Sequence, residues 1–257
     1  LSPYPRRGLE LLVHTGICDI VLPEVSALQD TVDEHRRHKD VYEHTLTVLQ
    51  QAMDLETGPD GDVPGPDLRL RLAALMHDIG KPATRRFMPD GTVTFHAHDY
   101  VGARMTAKRM RALHFDKQTI KDVSRLVELH LRFHGYADSP WSDSAVRRYV
   151  TDAGPLLARL GCLTRADVTT GNRRKAAMLS HAYDDLERRI EALRQQEELA
   201  SIRPELDGQE IMAELGIKPG PEVGKAYKFL LDLRMERGPI GKELAREALH
   251  SWWATQQ

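Results

Sequence analysis

Residues 75 to 86 read LMHDIGKPATRR, and the adjacent His77 and Asp78 stand where an apolar run closes. Imidazole and carboxylate are both ligands for divalent cations, and a bound cation converts water into a nucleophile and polarises a phosphoryl oxygen. A lone His-Asp dipeptide is ordinarily satisfied by backbone donors at a helix end. Consecutive helical residues point about 100° apart, so His77 and Asp78 face one target only if something draws them together. A metal ion is one such thing. Two distant residues strengthen that reading. His44 interrupts VYEHTLTVL, three residues after Val41 and four before Val48, and an imidazole near an apolar face needs a partner. Asp167, in LTRADVTTGN, lies beside Leu160 and Leu163 in the same way.

The elements that must position these groups are helices. Val41 to Met53 has apolar residues at helical spacings and stops in the Gly/Pro-rich LETGPDGDVPGPD. Leu68 to Ile79 is apolar at 68, 72, 75, 76 and 79. Gly80 then suits the left-handed position after a helix, Pro82 cannot continue it, and the terminal carbonyls favour a cation. Residues 101 to 113 set Ala103, Ala107, Met110 and Leu113 on one face and Arg104, Lys108 and Arg111 on another. Further helices are expected over 117–134, 142–152, 155–166, 173–200, 207–215, 221–237 and 239–253. Only TVTFH, Thr92 to His96, alternates like a strand, and it is too short to found a sheet. The expected class is all-α.

With 257 residues, 41% of them hydrophobic, the chain can bury one large core or two modest ones. No stretch approaches the roughly 18 to 20 apolar residues of a spanning helix, and no signal pattern opens the chain, so no membrane role is expected. Cys18 and Cys162 fit neither a disulfide framework nor a thiolate zinc site, which points to a reducing, cytoplasmic setting. The first residue is Leu1 rather than Met, in keeping with a fragment of a longer protein. Net charge is −2, unevenly spread: residues 101 to 175 carry 15 Lys and Arg against 7 Asp and Glu, so the middle third is +8 in an otherwise acidic chain. Such a segment suits a polyanion, although solvated helix faces also produce one.

His44, His77-Asp78 and Asp167, in this order on a helical scaffold, resemble the H…HD…D signature of the HD-domain metal-dependent phosphohydrolases. That resemblance implies one or two divalent ions (Mg, Mn, Ni, Fe or Zn), with Asp78 able to bridge two. Two-metal members add histidines between the HD pair and the last aspartate. Here those are His98 in FHAHDYVGA and His130 in LVELHLRFH, with His96 and His134 assigned to outer or surface positions. His14, His35, His38, His114, His181 and His250 read as surface or capping residues. Asp78 and Lys81 are the candidate catalytic residues, Lys81 and Arg85 the candidate phosphate binders. Asp40, one turn before His44, is placed to orient a ligand.

Longer stretches narrow the resemblance. EHRRHKDVYEHTLTVL, LAALMHDIGKPATR, WSDSAVRRYVTDAG, LTRADVTTGNRRKA and RPELDGQEIMAELGIKPGPEVGKA look like the post-catalytic part of bacterial CCA-adding tRNA nucleotidyltransferases, the actinobacterial type especially. The polymerising head of those enzymes carries a D-x-D pair. The only one here, Asp60-Gly61-Asp62, lies in a Gly/Pro turn with no strand before it. The resemblance thus implies a helical linker (1–32), an HD phosphohydrolase domain (33–172), a connecting helix (173–203) and a tRNA-binding tail (204–257), without nucleotide addition by this chain alone. It implies hydrolysis of small phosphoesters, including 2′,3′-cyclic phosphates. tRNA is the implied partner, gripped through its backbone by Arg104, Lys108, Arg111, Arg147, Arg148, Arg173, Arg174 and Lys175. A non-catalytic tRNA-binding module and a free-standing HD phosphohydrolase are the competing readings.

Overall fold

The computed structural model describes residues 1–31, 41–133, 135–136, 139, 141–197 and 202–256. His35, His38, Asp40 and His134 lie outside the described residues. The architecture is all-α. Among the described residues the only sheet is a hairpin of β1 (Arg86–Phe87) and β2 (Val93–Thr94), antiparallel with Arg86 opposite Thr94. The alternation of TVTFH therefore yields two paired residues, not a core strand. Contacts divide the chain into two compact units, Leu1–Asp138 with Pro155–Tyr183, and Ser139–Gly154 with Asp184–Gln257. Among the described residues no helix is long and apolar enough to cross a membrane.

In the first unit, α1 (Pro5–His14), α2 (Ile17–Val21) and α3 (Pro23–Ser26) precede α4 (Val41–Asp54), α5 (Leu68–Met76), the single turn α6 (Lys81–Thr84), α7 (His98–Ala112) and α8 (Lys117–Leu129). A 3-10 turn, His130–Phe133, follows α8. After α9 (Asp143–Ala153), which belongs to the second unit, α10 (Leu157–Ala166) and the start of α11 (Arg173–Gln196) complete the first. The centre is α5, packed against α4, α8 and α10. Its sequence LRLRLAALM buries Leu70, Ala73, Ala74, Leu75 and Met76, and a helix apolar on most sides belongs inside. Leu46, Leu70, Met76, Leu126, Leu160 and Leu163 have no more than 1% exposure, each worth about 1.5–3 kcal/mol of apolar burial.

One carboxylate starts α5 and ties it to α10. Asp67 Oδ1 accepts from Leu70 N at 2.8 Å, capping the helix, while Oδ2 accepts from Arg159 Nη2 at 2.7 Å and Nε at 2.9 Å. Burial pushes this carboxyl up, but the Arg159 guanidinium and the Leu70 amide outweigh it and hold it below its ordinary value.

The second unit joins α9 and the rest of α11 to α12 (Gly208–Leu215), α13 (Pro221–Arg237) and α14 (Lys242–Ala254). Leu206, Ile211, Ala226, Leu230, Ala245 and Leu249 form its core. The run LDGQE is a capping box. Asp207 Oδ1 accepts from Gln209 N and Glu210 N, and Asp207 N donates to Glu210 Oε2 at 3.0 Å. Gly216, at φ 64°, ends the helix left-handed.

Asp67→Ala is expected to cost about 2–4 kcal/mol, since it removes a cap and strands the partly buried Arg159. Asp67→Asn keeps the cap and loses less. A carboxyl held low contributes stability that is complete above its unfolded value, near pH 4, and is lost as pH falls through its folded value. Urea unfolding should therefore separate wild type from Asp67→Asn at pH 7 and bring them together as pH falls through the folded carboxyl's titration.

Candidate metal centre

The HD pair sits on a turn rather than on a helix. α5 ends at Met76, residues 77–80 turn, and Lys81 opens α6 with Pro82 in its first turn. Gly80 is not the left-handed terminator that its place after an apolar run suggests, because its φ is −78°. A different constraint selects glycine: a Cβ there would lie 2.1 Å from His98 O and 2.7 Å from Gly102 N. Gly102 reciprocates, with its own Cβ position 3.3 Å from Gly80 N. Two glycines thus let the start of α7 meet the backbone of the turn, which sets His98 beside Asp78. α7 begins at His98, earlier than its apolar spacing suggests, after Ala97 in a left-handed conformation at φ 60°.

Six side chains from five segments converge. His44 comes from α4, His77 and Asp78 from the turn, His98 from α7, His130 from the 3-10 turn after α8, and Asp167 from the end of α10. His44 Nε2 lies 3.2 Å from His77 Nε2, 3.0 Å from Asp167 Oδ1 and 3.4 Å from Asp78 Oδ2. His77 Nε2 lies 3.2 Å from Asp78 Oδ2 and 3.5 Å from Asp167 Oδ1. His98 Nε2 lies 3.3 Å from Asp78 Oδ1. The ring centroids of His44, His77, His130 and His98 follow one another at 5.3, 5.3 and 5.4 Å. Two sets of ligand atoms each fall within 4.8 Å of one another: His44, His77 and Asp167, and Asp78, His98 and His130. Asp78 presents one oxygen to each set.

Backbone carbonyls aim three of the rings. The Nδ1 atoms of His77, His98 and His130 donate to Ala74 O (2.8 Å), Phe95 O (2.8 Å) and Val127 O (2.6 Å), each three residues back. A carbonyl can only accept, so Nδ1 carries hydrogen and Nε2 turns to the centre. His44 differs, with Nδ1 3.0 Å from Thr169 Oγ1. Thr169 lies in the quoted LTRADVTTGN, but a threonine two residues past an aspartate gives no periodic signal.

Burial would push the His77 imidazole down, but Asp78 and Asp167 facing it outweigh burial and raise it to about 10. Burial and the neighbouring His77 charge push His130 down to about 4. Against the burial that opposes them, Asp78 is held well below the usual carboxylate range by His77 and Lys81, and Asp167 by His44 and His77. Lys81 Nζ is 2.8 Å from Asp78 Oδ2 and 5.6 Å from the Phe95 ring centroid. The centre is therefore built for positive charge. The buried Nε2 atoms of His98 and His130 have no hydrogen-bond partner, so the donor set fits a divalent cation bound by nitrogen and oxygen.

The other expected site residues spread widely. Arg85 is exposed, donating to Asp30 O at 3.1 Å and lying 5.5 Å from the Phe87 ring. Arg104, Lys108 and Arg111 form an exposed row on α7, and Arg173, Arg174 and Lys175 are exposed at the start of α11. Arg148 is exposed on α9, 3.4 Å from Glu236. Arg147 departs from the expectation of a surface contact. It is 6% exposed, with Nη2 2.6 Å from Glu197 Oε1 and Nη1 donating to Met235 O at 3.1 Å. Its charge is spent inside the second unit. His96 is exposed, as expected, and Asp60 and Asp62 are solvated.

Comparison with known proteins bears on the family. The HD domain family matches residues 41–172. A CC-adding tRNA nucleotidyltransferase of Thermus thermophilus is 36% identical over 98% of this chain and 54% of its own length. An A-adding tRNA nucleotidyltransferase of Deinococcus radiodurans is 34% identical over 99% of this chain and 56% of its own. A multifunctional CCA protein of Neisseria gonorrhoeae is 31% identical over 52% of this chain. The chain spans about half the length of the first two relatives. With an HD match across half of its residues and tRNA nucleotidyltransferase homology over nearly all of them, the chain belongs to the HD-domain family.

Proposed function

We propose that this chain is a divalent-metal-dependent phosphohydrolase, the C-terminal part of a CCA-adding tRNA nucleotidyltransferase, acting on phosphoesters that include 2′,3′-cyclic phosphates at RNA ends. The observation that carries this reading is the convergence of four imidazoles and two carboxylates, with two buried Nε2 atoms that make no hydrogen bond. His44, His77 and Asp167 would hold one cation, and Asp78, His98 and His130 a second. A bound divalent ion supplies a hydroxide nucleophile near neutral pH and charge for a phosphoryl oxygen. The chain's own contribution is orientation, through the three Nδ1–H bonds to carbonyls, and electrostatics, through Lys81 beside Asp78. Arg85, exposed four residues beyond Lys81, is the candidate for outer phosphate oxygens.

The chain is assayed with a chromogenic phosphodiester and with adenosine 2′,3′-cyclic phosphate, each in magnesium, manganese or nickel. Turnover is expected, falling about 100-fold or more in Asp78→Ala and His77→Ala. Loss of a ligand removes the ion's contribution of several kcal/mol to the transition state. No turnover with any metal, or turnover indifferent to both substitutions, contradicts the assignment.

The proposal extends to tRNA as partner. It rests on the relatives' names and on Arg104, Lys108 and Arg111, which share one exposed face of α7 at spacings of four and three. Arg173, Arg174, Lys175 and Arg148 remain candidates, whereas the buried Arg147 does not. Changing Arg104, Lys108 and Arg111 together to Ala should weaken tRNA binding and lower the slope of log affinity against log salt by about 2–3. A slope unchanged by the triple substitution removes this face from the interface.

A further inference from the structure

We propose that Thr169 is the positioning residue that fixes the ring of His44, through a hydrogen bond from Nδ1–H to Thr169 Oγ1. This inference rests on the metal-centre reading above. The observation behind it is an asymmetry among the four histidines. Three of them bond Nδ1 to a carbonyl three residues back, inside their own turn, so their aim is a property of the local backbone. His44 Nδ1 instead finds its partner 125 positions away, at 3.0 Å, in the loop that carries Asp167. A ring held only by its helix keeps a free torsion, and Nε2 would then sweep past its 3.0 Å neighbour Asp167 Oδ1.

The loop is itself clamped by the same helix. Gln51, seven residues after His44 on α4 and hence on the same face, donates Nε2 to Ala166 O and to Val168 O at 3.3 Å. Two side chains of α4 therefore grip the loop on both sides of Asp167. Gln51 fixes where the backbone runs, and Thr169 fixes which way the His44 ring turns. A hydroxyl that accepts from Nδ1–H leaves Nε2 as the lone pair facing the centre, the tautomer a ligand needs. The rings of His98 and His130 are aimed by Phe95 O and Val127 O instead, so the effect belongs to the set containing His44, His77 and Asp167.

Thr169→Val keeps the shape and removes the acceptor; Thr169→Ser keeps the acceptor. The full chain, freed of metal, is titrated with manganese by calorimetry, and the same metal-free protein is read by ¹⁵N NMR for the His44 tautomer. Thr169→Val is expected to weaken one manganese-binding event about 10–100-fold, with any second event unchanged, and to scramble the His44 tautomer. Thr169→Ser is expected to restore both. Thermal unfolding of the metal-free variants should match wild type, which separates positioning from support of the fold. Thr169→Ala is measured beside Thr169→Val, so that crowding by the valine methyl does not decide the result. Wild-type affinity and tautomer in both the Val and Ala variants, or a Ser variant as weak as Val, overturns the inference. A wild-type chain that binds no manganese refutes the metal-centre reading itself, and this inference with it.

Discussion

Six ionisable side chains share a space that water barely enters, and the first unit is organised around balancing their charge. His77, Asp78 and His130 are 1% exposed or less. A carboxylate buried alone costs several kcal/mol, and a second close by costs more, so Asp78 and Asp167 need positive charge between them. Lys81 and a proton on His77 supply it when no cation is bound. Burial first, and that proton second, drive His130, 5.3 Å from His77, towards neutrality. Two imidazoles of one cluster are pushed in opposite directions: direct bonds to both carboxylates outweigh burial at His77, and burial prevails at His130.

Such a centre works only if its walls do not relax. The central helix α5 is fixed at its start by Asp67, which caps it and binds Arg159 of α10, and it delivers His77 and Asp78 at its end. α10 in turn delivers Asp167. The Gly80–Gly102 approach brings α7 in and His98 with it. Tyr183 links two of these elements, donating its hydroxyl to Thr164 O three residues before Asp167, with its ring centroid stacked 3.6 Å from that of Phe133, three residues after His130. Three of the four imidazoles are thus aimed by carbonyls of their own turns, and His44 by the side chain of Thr169.

Much of this was legible in the residues. His44, His77, Asp78 and Asp167 were visible because each breaks an amphipathic pattern with a group that could not rest there unaided. LDGQEIM, singled out by resemblance, proves to be a capping box, a local feature that local sequence can show. The misreadings share one cause, namely contacts between residues far apart in the chain. Gly80 carries the sequence context of a helix terminator, but the atom that excludes a side chain there is His98 O, 18 residues on. Arg147 adds to a basic segment by counting, yet its partner Glu197 lies 50 residues away and takes it out of the surface. Thr169 went unmarked because a hydroxyl bonded to a distant imidazole leaves no trace in spacing.

The most direct measurement of the central claim is a crystal structure of the chain grown with manganese, with anomalous scattering used to locate the ion. Strong anomalous density is expected between His44, His77 and Asp167 or between Asp78, His98 and His130, with ligand atoms about 2.0–2.3 Å away and Lys81 Nζ displaced from Asp78 Oδ2. A centre that keeps the Lys81–Asp78 pair and shows no anomalous density at saturating manganese contradicts the account.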